Sequence, residues 1–545
     1  MRSNPVSRDL RRMRGEPLLA AMILASAMLL LLFVVWPILK VLSLPSWANW
    51  AAYFQNPRFL KATRNSLFMA AISTLSATAL GFLYAYAVNR ANVPGSRFFK
   101  TIAILPIMTP PFITGLAFIL LFGRRGFISW TLLHMRPDIY SWKGLWAVQT
   151  FAFFPTAFLA TSSVLRSISA NLELAATNLG ASRWRVFKDI VLPLATPGLA
   201  SAALLVTSQA LADFGNPMLI AGDYTVLATE AYLELITNWS PQGAAVLSGV
   251  LLAPALMVFF VQRNILERRS FVTVTGKPTN LEKKGHSPMV RWSLFAACLI
   301  TSLVVVSVYG VLLVCAFTKT WGANFSFTSY HFVTAVLHGV ELKNSFMLSA
   351  AAAAFTALFA VLLGYMVNVK KPIGAGALDL MAVIPAAVPG TVLGIGYVLS
   401  FNTPPLALTN TAAIIVILMV FRYMTVGYRT TVSSIKQLDR SIEEASTNLG
   451  ADTIKSFRYV MLPLLRSAFT VSFIYTFIKA MNAVSGPIFL ISPQWRLASV
   501  SIINLADHGY WGEASSLGVA VVGIIALTLL FFRFALGGKV KLFEI

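Results

Sequence analysis

The sequence predicts an all-α polytopic membrane protein of about 12 transmembrane helices, arranged as two parallel six-helix repeats. Three observations carry that expectation. Of the 545 residues, 57% are hydrophobic and only 12% charged, against roughly 45–50% and 25% in soluble domains. Apolar runs of about 20 residues, enough to span a bilayer as a helix, follow one another along the chain. Residue patterns of the first half also return in the second at a nearly constant offset.

The net charge of +23 resides in short basic segments between the apolar runs. That is how topology signals are distributed, and no nucleic-acid partner is expected. Cys298 and Cys315 share one expected span and stand about 25 Å apart along it, too far to bridge within that helix, so they are read as small packing residues. His134, His286, His331, His338 and His508 show no metal-ligand spacing beside carboxylates or cysteines, so neither a metal site nor a cofactor is expected. No GxxxxGK[ST] loop, Ser-His-Asp set, HExxH or paired-carboxylate motif occurs; an enzyme is not expected, and if ATP drives the protein another polypeptide supplies the ATPase.

In chain order, Arg2, Arg8, Arg11, Arg12 and Arg14 precede an apolar stretch from Leu18 to about Leu44. It is too long for a signal-peptide core and lacks an obvious small-residue cleavage site, so it is expected to be a retained first span behind a basic cytoplasmic N-terminus, 1–17. The first repeat, 18–266, continues with spans near 65–89, 101–122, 144–165, 194–221 and 243–265. A polar, basic segment without apolar periodicity, 267–290, reads as a cytoplasmic linker. The second repeat, 291–537, places spans near 292–318, 345–369, 377–401, 410–431, 467–491 and 513–536, followed by a cytoplasmic tail, 538–545. Twelve spans put both termini inside, with the basic loops 90–100, 166–188, 370–371 and 429–466. The acidic segments 223–234 and 507–513 fall outside. Arg58, Lys61, Arg64, Arg124 and Arg125 are basic residues that this topology also places outside.

The duplication is explicit. Asn65, Ser66, Tyr86, Val88, Asn89, Pro106 and Gly115 return as Asn344, Ser345, Tyr365, Val367, Asn368, Pro385 and Gly394, each 279 positions later. Further on the offset becomes 270, so about nine extra residues lie in the first half between its third and fourth spans. An even number of spans per half gives a parallel repeat about an axis normal to the membrane, with the pathway expected between the halves.

The strongest repetition lies in two basic loops, outside the apolar runs where resemblance is cheap. Glu173, Ala175, Thr177, Asn178, Leu179, Gly180, Ala181, Leu192 and Pro193 return as Glu443, Ala445, Thr447, Asn448, Leu449, Gly450, Ala451, Leu462 and Pro463. Asn171 and Ser441 are placed to cap a first helix, and Ser441 with Glu444 forms a capping-box pattern. Gly180 and Gly450 suit its left-handed C-terminal position. Ser182 and Asp452 are placed to cap a second helix, expected to end just before Pro193 and Pro463.

These residues, with Ala176 in the first copy and Ser446 where the second departs from alanine, closely resemble the EAA loop of binding-protein-dependent ABC importer permeases. The resemblance covers about residues 60–265 and 340–537. It implies a permease of the bacterial inner membrane that docks two copies of a separate ABC ATPase. It also implies a solute-binding protein, periplasmic or lipid-anchored, as the source of the solute. The stretch Leu211-Ala-Asp-Phe-Gly-Asn-Pro217 and the fusion of two halves look most like the ferric-iron branch. The region Ala483–Ser492 also resembles relatives assigned to iron, phosphorylated sugars or aminoalkylphosphonates. A secondary transporter driven by an ion gradient is the alternative of another class.

Ionisable residues inside spans are costly and usually face a partner or a cavity. Asp213 and Lys479 stand out, since Lys479 matches Gln209 at the 270 offset and both fall on the fifth span of their halves. In the resembled family those helices line the pathway, which makes Asp213, Lys479 and, more weakly, Asn216 and Asn482 pathway candidates. The competing reading is a buried structural ion pair. Arg422 in the tenth span is read as snorkelling to an interface.

Overall fold

The computed structural model of the chain describes residues 17–266, 287–439 and 441–535. The expected tail, nearly all of the expected N-terminal segment and most of the expected linker lie outside them. Among the described residues, ten helices are long and apolar enough to cross a membrane, and two bent pairs raise the count to 12. The first half contains α1 (Pro17–Ser43), α2 (Pro57–Asn89), α3 (Ser96–Ile104), α4 (Pro111–Phe122), α5 (Trp142–Ser167), α6 (Ala170–Asn178), α7 (Arg183–Leu211), α8 (Gly215–Ile220), α9 (Leu227–Ile236) and α10 (Pro241–Asn264). The second half contains α11 (Pro288–Ala316), α12 (Glu341–Lys370), α13 (Ala375–Ala386), α14 (Gly390–Phe401), α15 (Ala412–Gln437), α16 (Ser441–Asn448), α17 (Thr453–Leu464), α18 (Arg466–Met481), α19 (Ala498–Asp507) and α20 (Trp511–Ala535). A two-stranded hairpin, Thr318–Thr320 with Asn324–Phe327, follows α11.

The third span of each half is broken where the sequence predicts one continuous helix. Proline lacks an amide donor and clashes with the preceding turn. Pro106, Pro110 and Pro111 therefore separate α3 from α4 through a 3-10 turn at Leu105–Met108. Pro385 and Pro389 do the same between α13 and α14, which meet at 111°. Gly95 and Gly374, equivalent in the repeat, start α3 and α13 with φ of 71° and 82°, a region open to glycine at no steric cost.

Small residues let the spans approach closely. A Cβ on Gly81 of α2 would lie 2.6 Å from the Cβ of Ala157 in α5, and one on Gly427 of α15 would lie 2.0 Å from Ser472 Oγ in α18. The first span of each half packs on the opposite half. Tyr397 of α14 donates its hydroxyl to the Phe33 carbonyl of α1 at 2.8 Å, while Tyr84 of α2 and Ser302 of α11 share a hydrogen bond of 2.8 Å. The halves are thereby intertwined.

Two of the short helices that the sequence does not announce pack onto the spans. The segments 223–234 and 507–513, read as outer loops, contain or adjoin the helices α9 and α19, whose inner faces are buried. Their ten residues fall short of a span, and their acidic residues disguise the apolar periodicity of Leu227, Ala228, Ala231 and Leu235. The repeated Asn-Ser pair now has a structural reason. Asn65 donates to the Thr225 carbonyl and Asn344 to that of Gln494, while Ser66 and Ser345 accept from the Leu227 and Ala498 amides. Each pair anchors the start of the short helix to its span. The anomalous Arg58 pairs with Glu230 of α9, and Arg124 lies 4.0 Å from Asp138, so acidic partners on the same face offset two of the five exceptions.

Candidate functional site

The two repeated loops share one geometry. Ser169 and Asp439 cap α6 and α16 by accepting from the amides of Asn171 and Ser441. The caps therefore stand two positions earlier than Asn171 and Ser441, because the chain is still extended at Ser169, with ψ 128°, and already helical from Ala170. Both helices close with the same pair of bonds. The Gly180 and Gly450 amides donate to Thr177 and Thr447, and the Ala181 and Ala451 amides donate to Ala176 and Ser446. That is a Schellman ending, with the glycine left-handed as the motif requires: φ is 87° at Gly180 and 82° at Gly450. The carbonyls of Ala175 and Ala445 accept from Leu179 and Leu449.

Ser182 and Asp452 do cap the second helices, accepting from the Arg185 and Lys455 amides. The expected ends before Pro193 and Pro463 differ. In the first half the helix runs on through a π-turn at Phe187–Val191 into the fifth span, α7, with the Leu192 amide donating to Phe187. The wider turn accommodates the missing amide of Pro193. In the second half α17 contains Pro463 and meets α18 at a 73° bend around Leu465.

Both loop glutamates are tied to the end of the second span of their own half. Glu173 pairs with Arg90 at 2.5 Å, and Arg90 also donates to the Leu165 and Ile168 carbonyls at the end of α5. Glu443 pairs with Lys370 at 2.6 Å and accepts from Tyr365 and Ser456 at 2.8 Å each. Burial of the Glu443 carboxyl works to raise its pKa, but the bonds from Lys370, Ser456 and Tyr365 outweigh it and hold the group below its ordinary value. At the tip, Leu179 and Leu449 are each 89% exposed. Arg90 and Lys370 escaped sequence reasoning because they fall one position out of register at the 279 offset.

The pathway candidates meet at a second site. A cavity of about 340 Å³ lies between the halves, bordered by the breaks of both third spans. Equivalent positions line it from both sides: Ala152 with Arg422, Gln209 with Lys479, and Asp213 with Ala483. The fifth spans stop at Leu211 and Met481, short of the expected 221 and 491. Asp213 consequently sits in the break before α8, where it accepts from Gln149 at 2.9 Å and from the Asn216 side chain and amide at 3.0 and 3.3 Å. These donors, and not Lys479, satisfy it, so the two do not form a buried ion pair. Asn216 is fully buried behind Asp213, whereas Asn482 lines the cavity. Arg422 does not snorkel: it borders the cavity, with Nη2 3.5 Å from Ser485 Oγ. Its register with Ala152 was the available signal.

Comparison with known proteins follows the same division of the chain. A family model described as the binding-protein-dependent transport system inner membrane component matches residues 77–272 and 357–539. The ferric transport system permease protein FbpB of Actinobacillus pleuropneumoniae is 30% identical over 97% of this chain and 80% of its own length. A putative ferric transport system permease protein of Haemophilus influenzae is 31% identical over 90% of this chain and 80% of its own. Among solved structures, a chain of a bacterial ABC transporter involved in the import of the acidic polysaccharide alginate aligns with 48% of this chain and 99% of its own, at 20% identity and a TM-score of 0.41.

Proposed function

The chain belongs to the family of binding-protein-dependent transport system inner membrane components, and from that premise we propose that it imports ferric iron, driven by ATP hydrolysis on a separate subunit. It is a multi-pass transport component with two equivalent halves. The observation that supports the coupling role is the pair of loops: each presents an exposed leucine at a left-handed glycine corner and is tied by a glutamate to a membrane span. A push on either elbow reaches the ends of spans two and five together. Two copies of one ATPase fit two equivalent loops, and the loop face, which carries the basic segments, is then cytoplasmic. In this reading Glu173, Ala175, Ala176, Gly180 and Pro193, with Glu443, Ala445, Ser446, Gly450 and Pro463, shape the docking elements, and neither loop hydrolyses ATP itself.

Iron as the solute is supported by the two ferric permease relatives, which match nearly the whole chain. A binding protein on the opposite face delivers the solute. The test is uptake into vesicles holding this chain, its ATPase and its binding protein, with ATP present, comparing ferric iron with a phosphorylated sugar and an aminoalkylphosphonate. Accumulation of iron over the other two supports the assignment. Accumulation of a phosphorylated solute in its place overturns the iron assignment and leaves the importer mechanism standing.

A further inference from the structure

The axial cavity carries a charge pattern at odds with a bare cation. Arg422 and Lys479 both line it, and the Asp213 carboxylate is already engaged by donors from Gln149 and Asn216. The Arg422 guanidinium is also packed against the first residue of α14: a Cβ on Gly390 would lie 2.2 Å from Nη1. A helix N-terminus bears partial positive charge and unpaired amides, and α14 begins there without a side-chain cap. A cation has thus been placed at the positive end of a helix, inside a membrane protein, and Nη1 is buried with no hydrogen-bond partner among the described residues. The equivalent helix, α4, also starts beside the cavity, where Pro110 and Pro111 carry no amide hydrogen and its contribution is the positive end of the helix dipole. Lys479 has the Tyr475 ring 5.9 Å away, a weak partner for an ammonium group.

We propose that this cavity binds an oxyanion of the phosphate or carboxylate type, so that the transported metal crosses as an anion complex. The anion supplies what Arg422, Lys479 and the two helix starts lack, and its charge offsets the repulsion that these groups exert on a trivalent cation. Only the identity of the accompanying cation rests on the iron-import reading above.

Anion binding is tested on the full chain alone, in phosphatidylcholine nanodiscs, with radiolabelled inorganic phosphate and citrate. The expected result is saturable binding of at least one of them, weakened tenfold or more in Arg422→Gln and in Lys479→Gln. It should be held within about threefold in Arg422→Lys, which keeps the charge. Thermal unfolding of each variant separates loss of the site from loss of the fold. No saturable binding by the wild type, or equal binding by the wild type and both glutamine variants, overturns the proposal. Displacement of phosphate by phosphatidylglycerol in the nanodisc also overturns it, by assigning the site to a lipid headgroup. Iron uptake is scored separately: anion binding without ATP-driven iron uptake contradicts the iron assignment alone, and iron uptake by a chain that binds neither anion contradicts this inference alone.

Discussion

Gly180 and Gly450 are required for their backbone, not for space. Nothing lies within 4 Å of where a Cβ would stand on either, so any penalty comes from the positive φ, which costs a side-chain-bearing residue roughly 1–2 kcal/mol. Asparagine tolerates that region and valine does not. Replacing both glycines by valine should therefore cut ATP-driven uptake about tenfold or more, on the scale set by two such penalties, while ATP hydrolysis continues. The double asparagine variant should transport nearly as the wild type does. Uptake and hydrolysis measured on the same vesicles check this, and normal transport by the valine variant counts against the coupling role. At Glu443 the folded-state pKa is depressed, so the tether's contribution is fully present above the ordinary carboxylate value, about 4.3, and is lost only as pH falls through the lower folded value. Hydrogen exchange in 441–455, taken relative to the intrinsic amide rate at each pH, should stay flat from pH 7 down to about 5. Glu443→Gln should accelerate it already at pH 7, because Lys370, whose side chain is 4% exposed, loses its counter-charge.

At the scale of elements, close helix packing sets the sensitivity. Gly427→Val places new atoms where Ser472 Oγ already stands, and overpacking of this kind costs about 1–3 kcal/mol. A lowered unfolding temperature in detergent, relieved in part by Ser472→Ala, is the expected outcome; an unchanged temperature would mean that α15 and α18 are not packed as described. The same scale shows what was legible in the sequence. Long apolar runs and the duplicated loop announce themselves through composition and repetition, and the glycine corners through residue type. The breaks at Pro106–Pro111 and Pro385–Pro389 were visible as prolines, yet nothing local tells a kinked span from a broken one. The buried helix α9 was hidden because a ten-residue amphipathic segment with glutamates looks like a loop until Arg58 and Ser66 are known to face it, and α19, of the same length, falls equally short of a span. The ties of Arg90 to Glu173 and of Lys370 to Glu443 join residues 83 and 73 positions apart, a pairing that no periodicity encodes.

At the scale of the whole molecule, the exchange of first spans makes each half depend on the other. α1 lies against α14, and α11 against α2, α3 and α4. The two halves produced as separate chains, divided between residues 266 and 288, should therefore co-purify and retain uptake. Halves that purify apart would contradict the intertwined arrangement. The axial cavity belongs to this scale too, since neither half alone encloses it, and the halves differ in charge across it, with Lys479 at the position of Gln209 and Arg422 at that of Ala152.

In the proposed mechanism this chain carries solute by coupling to ATP hydrolysis. It is tested most directly by loading proteoliposomes containing the chain, its ATPase and its binding protein either with ATP or with an imposed proton or sodium gradient, and following labelled ferric iron. Accumulation with ATP, abolished by a non-hydrolysable analogue and unaffected by collapsing the gradient, is the predicted result. Accumulation driven by the gradient in the absence of ATP would instead make the protein a secondary transporter.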